Sequence, residues 1–371
     1  MKLLHTADWQ IGMKAESVGE AGKRVRDERL QAGRRVIEAA KKNSVDLILV
    51  AGDLFEDNAV DRSLVQKVAD ILSAFEGPVY IIPGNHDPLV PGSVWDHPAW
   101  ESSENLVLLK DEKPLELEIC TLFPCPLHEK HSGKNPTAWI KGEVGKSINI
   151  GLAHGTVEGI QQDELDYPIP RDAAERAGLD YLALGHWHST ATYPTTDAAT
   201  RMAYSGTHET SKFGERDSGN VLIVEVEAPG AKPKMTAVRT GELSWHSLST
   251  EVREVGDLAR LRQQIEKMDS PENTLIDLTL TGLLHAEEQN ELSHIQEILG
   301  SRFLHGHMDA SKLLPSPDDD SWVSALPPGI VREAATRLRA VAAAEHTHEA
   351  PPEIAARALM ELYAIAREVV R

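Results

Sequence analysis

The residues able to do chemistry fall in five small groups: Asp8 with Gln10, Asp53, the run Asn85-His86-Asp87, His154, and His186 with His188. Carboxylate, amide oxygen and imidazole are borderline-to-hard donors, suited to manganese, iron, zinc or magnesium. Any one group is compatible with an ordinary turn, since Asn and Asp suit turn geometry. Five in one chain, each within a residue or two of the end of an apolar run, point instead to a shared divalent-metal site.

The elements that must position them are short strands. Lys2–Ala7, Asp46–Ala51, Pro78–Ile82, Ser147–Ala153 and Asp180–Leu184 are apolar runs of the kind covered on both faces. Each is stopped by Gly or by the polar residues themselves, and open α/β sheets place ligands at the carboxyl ends of such strands. Between the first three runs, Lys23–Lys42 and Asp61–Phe75 have helical spacing, so a β-α-β-α-β order predicts a largely parallel sheet with right-handed crossovers. Leu106–Leu109 and Leu115–Leu122 are expected to pair as a hairpin, and Val221–Val226 with Lys234–Val238 to finish the domain antiparallel. On the first helix Arg24, Arg35 and Lys42, with Gln31 alongside, form a row readable as a phosphate track or as a solvated face; the interleaved Asp27, Glu28 and Glu38 favour the face.

Beyond Thr240 the texture changes. Residues 241–314 read as a small α+β cap, and 315–371 as a linker and helical tail in which Leu359, Leu362, Tyr363, Ala366 and Val369 form an apolar stripe. Packing on its own domain is the commoner reason for such a stripe; docking a partner helix is the other. The pairs His305/His307 and His346/His348 follow no buried strand and are expected to be ordinary surface residues.

Of 371 residues, 41% are hydrophobic and 26% charged, ordinary values for a folded globular chain. No apolar run approaches the roughly 20 residues that span a bilayer, and Met1-Lys2 leads straight into the first strand, so a cytoplasmic protein without membrane association is expected. Cys120 and Cys125 are then reduced and structural. The formal net charge of −20 opposes extensive nucleic-acid contact by this chain alone, although bound cations or a partner can supply positive charge locally.

The order Asp8-x-Gln10, Gly52-Asp53, Gly84-Asn85-His86-Asp87, His154-Gly155, Gly185-His186-x-His188 resembles the calcineurin-like metallophosphoesterase family over roughly residues 1 to 245. Within it, His5-Thr6-Ala7-Asp8-Trp9, Gly52-Asp53-Leu54-Phe55, Tyr204-Ser205-Gly206 and Phe213-Gly214-Glu215 are similar to SbcD-type DNA repair nucleases and their YhaO-like relatives. The resemblance implies a two-sheet α/β sandwich over 1–240 that holds two divalent ions, manganese first and iron, zinc or magnesium as alternatives. Asp8, Gln10, Asp53 and His188 would hold one ion; Asp53, Asn85, His154 and His186 the other. Gln10 departs from the family's pattern, which has His there, and offers a weaker neutral oxygen. His86 is assigned to the transition state or the leaving oxygen, with Asp87 orienting its ring.

The activity implied is exonuclease and endonuclease cleavage of DNA in repair, at ends or in single strands, alongside an SMC-like coiled-coil ATPase of the SbcC type. A homodimer through the helix Asp61–Phe75 is also implied. Two alternatives stand beside it: a phosphodiesterase or phosphatase for a small molecule, favoured by the acidity, and a non-catalytic binding subunit in which Gln10 impairs one metal site.

Overall fold

In the computed structural model, residues 1–159, 166–194, 196, 199–316, 320–343 and 350–369 are described. They form two compact units, Met1–Ser244 and Trp245–Arg371, so the C-terminal helices share a unit with the small sheet that precedes them. Among the described residues no helix is long and apolar enough to cross a membrane.

The first unit runs β1 (Lys2–Thr6), α1 (Gly22–Lys42), β2 (Leu47–Ala51), α2 (Arg62–Ser73), β3 (Val79–Ile82), β4 (Leu106–Leu108), β5 (Leu115–Glu116), β6 (Thr121–Pro124), β7 (Asn149–His154), α3 (Ala173–Arg176), β8 (Tyr181–Gly185), β9 (Ala191–Pro194), β10 (Thr200–Tyr204), β11 (Asn220–Glu225) and β12 (Lys234–Arg239). Two six-stranded sheets result, ordered β12-β11-β1-β2-β3-β4 and β5-β6-β7-β8-β10-β9. In the first, β1 to β4 are parallel and β11 and β12 antiparallel; in the second, β6, β7, β8 and β10 are parallel between antiparallel edges.

Side-chain alternation explains the layers, because successive residues of a strand face opposite sides. Leu3, Leu47, Leu49 and Ile82 face Ile150, Leu152, Tyr181 and Ala183 across the sandwich. Their neighbours Leu4, Ile48, Val50 and Ile81 pack on the helices through Val36, Ile37, Val65, Val68 and Leu72. Leu182 and Leu184 lie against Ala173, Ala174 and Ala177 on the far side of the second sheet. Each fully buried aliphatic side chain is worth about 1.5–3 kcal/mol, which fixes the strands whose ends carry the polar residues. Behind them the sheets are also tied by a polar contact: the buried Tyr181 hydroxyl donates to His5 Nδ1 (2.8 Å) and His5 Nε2–H to the Leu184 carbonyl (3.1 Å).

The hairpin expected from Leu106–Leu109 and Leu115–Leu122 does not form. β4 lies parallel beside β3 in the first sheet, and β5 pairs with β6 in the second. Leu106 is drawn into the helix-side core and Leu122 into the inter-sheet core, so burial separates two segments that chain proximity would have paired.

The second unit contains the sheet β13 (Ser244–Val252), β14 (Thr274–Leu284), β15 (His305–Pro315), with α4 (Asp257–Glu266) and α5 (Gln289–Arg302) sharing its core. The helices α6 (Ser321–Ala325), α7 (Ile330–Ala342) and α8 (Pro352–Val369) follow. Leu359 and Leu362 of the expected stripe pack with Val323, Ala335 and Leu338, and Tyr363 meets Trp322 edge-on at 5.0 Å. His307 does have an acidic partner, Asp277 at 2.8 Å, but the pair is exposed and worth little. His346 and His348 lie outside the described residues.

Candidate metal centre

The parallel strands of the two sheets deliver their polar residues to one place. His154 is the last residue of β7, Asp53 and Asn85 follow β2 and β3, and His186 follows β8. Asp53, His154 and His186 offer ligand atoms that all lie within 4.8 Å of one another. Asn85 Oδ1 sits between the two rings, 2.8 Å from His154 Nε2 and 3.0 Å from His186 Nδ1, and Asp53 Oδ2 is 3.3 Å from His154 Nε2.

These contacts test whether a cation fits. His154 Nδ1 is 2.8 Å from the Ala51 carbonyl, which can only accept, so Nδ1 carries the proton and Nε2 keeps its lone pair in the neutral ring. Nε2, the Asn85 oxygen and the Asp53 oxygen then meet with no hydrogen between them unless the ring is protonated. Donor atoms sharing a cation at about 2.0–2.2 Å stand roughly 3.0–3.5 Å apart, close to the separations observed. The donor set therefore fits a divalent ion. Without an ion the ring's proton fills that role: burial opposes charge on both Asp53 and His154, yet each holds the other ionised, Asp53 well below the usual carboxylate range and His154 up to about 9, and a bound cation would take the place of that proton. Burial and the neighbouring His154 push His186 down to about 4, leaving that ring neutral.

The site is held in strained backbone. Asp8, Gln10, Asp53 and His186 have φ of 55, 40, 52 and 110°, conformations that cost on the order of 1–3 kcal/mol each and persist only where the surroundings impose them. The impositions are visible: Asp8 N–H donates to Gly52 O (3.1 Å), Gln10 N–H to Asp53 O (2.9 Å), and His186 N–H to Asp8 Oδ1 (2.9 Å). Gly84 is required beside them, because a Cβ there would collide with the Asp53 carboxylate.

Asp8 is fully buried, and burial raises its carboxyl to about 6 while His154 and His188 pull it back down. Gln10 is buried and tied to Asp53 through its backbone. His188 is turned by Glu215, whose Oε1 is 2.6 Å from its Nδ1, leaving Nε2 as the ring's donor atom.

His86 and Asp87 separate. The His86 backbone N–H donates to Asp53 Oδ1 (2.9 Å), and its ring Nδ1–H to the Glu56 carbonyl (2.9 Å), so Nε2 has no partner among the described residues. Asp87 does not orient that ring. Its two oxygens accept from Gly84 N–H (2.7 Å) and Phe55 N–H (3.0 Å), and its carbonyl accepts from the Trp95 indole. It is fully buried and braces the loop behind the site, with burial and then Asp53 raising its carboxyl to about 7. This corrects the expectation that Asp87 orients the ring: the two residues are adjacent in the chain, but the turn after β3 sends this carboxylate backwards.

Two residues escaped the sequence reading. In the sequence Glu215 stands only as part of Phe213-Gly214-Glu215, with nothing local to pair it with a histidine 27 positions earlier. A carboxylate on the far nitrogen of a ligand histidine fixes its tautomer and orientation. Glu215→Gln is expected to weaken manganese binding about 10–100-fold by titration calorimetry; unchanged affinity would leave Glu215 without this role.

Arg29 is the other. Its fully buried guanidinium donates to Trp9 O (3.0 Å), Asp8 O (3.2 Å), Glu209 O (2.8 Å) and Thr207 Oγ1 (3.2 Å), clasping the strained Asp8–Gln10 turn from behind. Trp9, also fully buried, stacks on His208 at 4.5 Å rather than facing the site. Arg29→Met strands these acceptors, each worth about 1–3 kcal/mol when left unpaired, so urea denaturation should show a loss of about 3 kcal/mol or more. The row on α1 is no phosphate track: Arg24 and Arg35 both pair with Glu28, at 2.5 and 2.7 Å, and Arg35 also with Glu209 at 3.3 Å.

Comparison with known proteins gives three findings. Residues 1–190 match the sequence model of the calcineurin-like phosphoesterases. The chain is 26% identical over 253 residues to YhaO of Bacillus subtilis, described as an uncharacterized metallophosphoesterase; the match covers 66% of this chain and 60% of that relative's length. Among solved structures it is similar to TT1561 of Thermus thermophilus (12% identity, 64% of this chain and 99% of that one, TM-score 0.41) and to the calcineurin-like phosphoesterase YfkN of Bacillus subtilis (13%, 64% and 90%, 0.33).

Proposed function

The chain belongs to the calcineurin-like phosphoesterase family, and from that premise we propose that it is a metal-dependent phosphoesterase whose substrate is DNA, cut as a phosphodiester at ends or in single strands. The observation that carries the proposal is the Glu215–His188 pair. The Phe213-Gly214-Glu215 segment, which resembles SbcD-type repair nucleases, supplies the residue that turns His188, a donor of the site in this reading.

Asp8, Gln10, Asp53 and His188 would hold one divalent ion and Asp53, Asn85, His154 and His186 the other, manganese being our choice of metal. Such ions, when bound, lower the pKa of water and neutralise phosphate charge. The chain's own contribution is order. Asp53 is fixed by the His86 N–H, and the His86 ring is fixed by Glu56, so Nε2 is the one ring atom free to donate to a phosphoryl or leaving oxygen. The same reading includes DNA repair in the cytoplasm with an SMC-like coiled-coil ATPase as partner.

A second reading, hydrolysis of a small phosphodiester, is favoured by the net charge of −20. The test is manganese-dependent degradation of linear double- and single-stranded DNA, run beside bis-p-nitrophenyl phosphate. Release of nucleotides supports the DNA reading; hydrolysis of the small diester with DNA left intact replaces it by the second.

A further inference from the structure

We propose that the loop 211–216 is the strand-binding lip of this site, with Lys212 and Arg216 taking backbone phosphates of single-stranded nucleic acid and Phe213 taking the face of a base. The proposal rests on the DNA reading above and extends it to named contacts.

The loop is built around a carboxylate turned inward. Glu215 Oε1 is 2.6 Å from His188 Nδ1 and accepts from the Ser211 hydroxyl (2.7 Å), while Oε2 accepts from Ser211 N–H (2.8 Å), closing the chain from 211 to 215. Arg216 N–H donates to Ser189 Oγ (3.1 Å) and Thr190 N–H to Asp217 O (3.0 Å), so both sides of the loop are fastened to the segment that carries His188. With its acid engaged below, the loop leaves Lys212, Gly214 and Arg216 exposed and Phe213 half-buried. Gly214 has φ 88° with open space where a Cβ would lie, so the turn crowds nothing above it.

What singles this loop out is cations mounted beside His188, since cations without an ion pair, such as Lys41 and Lys42, also occur elsewhere among the described residues. Acids outnumber bases in the chain by 58 to 38, and a surface cation has many carboxylates to choose from. Arg24 and Arg35 are neutralised by Glu28. Lys212 and Arg216 have no ion-pair partner among the described residues, although Asp217 is adjacent in sequence. Two unpaired cations flanking an aromatic ring, mounted on a ligand histidine of a phosphodiester site, are the parts of a single-strand platform: phosphate contacts for affinity and a stacking face tolerant of sequence. Because the mount is fixed by its own hydrogen bonds, little ordering entropy is added on binding.

The two kinds of contact leave different signatures, and binding can be read without cleavage on the Asp53→Asn chain. Fluorescence anisotropy of a labelled single-stranded oligonucleotide, titrated with salt, is the measurement. Adding Lys212→Gln and Arg216→Gln should flatten the slope of log affinity against log salt by about 1.4, roughly 0.7 for each lost phosphate contact. Phe213→Ala should leave the slope alone and weaken binding about tenfold at every salt concentration. With Asp53 restored, the double variant should hydrolyse bis-p-nitrophenyl phosphate at the wild-type rate, because that substrate has no strand for the lip to hold. An oligonucleotide bound with unchanged slope by the double variant overturns this proposal and leaves the DNA reading standing. No oligonucleotide binding by the parent chain overturns both. Polyglutamate binding that falls as much as oligonucleotide binding in Phe213→Ala overturns it in favour of an acidic peptide.

Discussion

Asp53→Asn is expected to lower manganese-dependent hydrolysis of bis-p-nitrophenyl phosphate about a thousandfold or more while the protein stays folded. The effect follows from what remains. Asp53 is the one carboxylate among the four side chains that meet around Asn85 Oδ1, the others being an amide and two imidazoles. Removing its charge leaves only neutral donors in that group, in a buried setting where electrostatic interactions are strongest. The fold should survive, because an amide oxygen can still accept the His86 N–H that now reaches Asp53 Oδ1. Metal titration and thermal melting belong beside the kinetics. Turnover within tenfold of wild type, with manganese bound at full stoichiometry, would remove Asp53 from the centre of the site.

How much of this was legible in the sequence follows from which forces are local. The strand ends were readable because burial on both faces demands an unbroken apolar run, and a polar residue directly after one has few places to go. Asp53, Asn85, His154 and His186 are such residues, and the fold gathers them, with ligand atoms of Asp53, His154 and His186 within 4.8 Å of one another and Asn85 Oδ1 between the two rings. What holds them leaves no such mark. Positive φ at Asp8 and Gln10 has no signature in side chains that are not glycine. Glu215 reaches His188 across a distance in sequence that no periodicity spans. Arg29 did leave a trace: it falls on the buried stripe of α1 with Val25, Ala32 and Val36, where a cation is out of place unless the interior supplies acceptors. Asking where its five donors go would have found the turn it braces. β4 departs from expectation for the opposite reason, since neighbours in the chain that could pair locally are claimed by two different cores.

His86→Ala separates chemistry from binding at the same site. The ring is anchored through Nδ1 to the Glu56 carbonyl and makes no bond to the donor cluster, whereas the backbone N–H that meets Asp53 belongs to any residue at this position. Alanine should therefore leave manganese affinity and KM near wild type and lower kcat by about 10²–10³-fold, the range for loss of a positioned acid or charged donor. The leaving group then decides between the two tasks open to Nε2. A departing nucleoside hydroxyl needs a proton far more than p-nitrophenolate does. If His86 is the general acid, the variant should lose more activity on an oligonucleotide than on bis-p-nitrophenyl phosphate; a purely electrostatic hold on the phosphoryl oxygens should cost both substrates alike. Wild-type turnover on both, with manganese bound at the wild-type stoichiometry, would take His86 out of the reaction and leave Asp8, Asp53, His154, His186 and His188 to account for it.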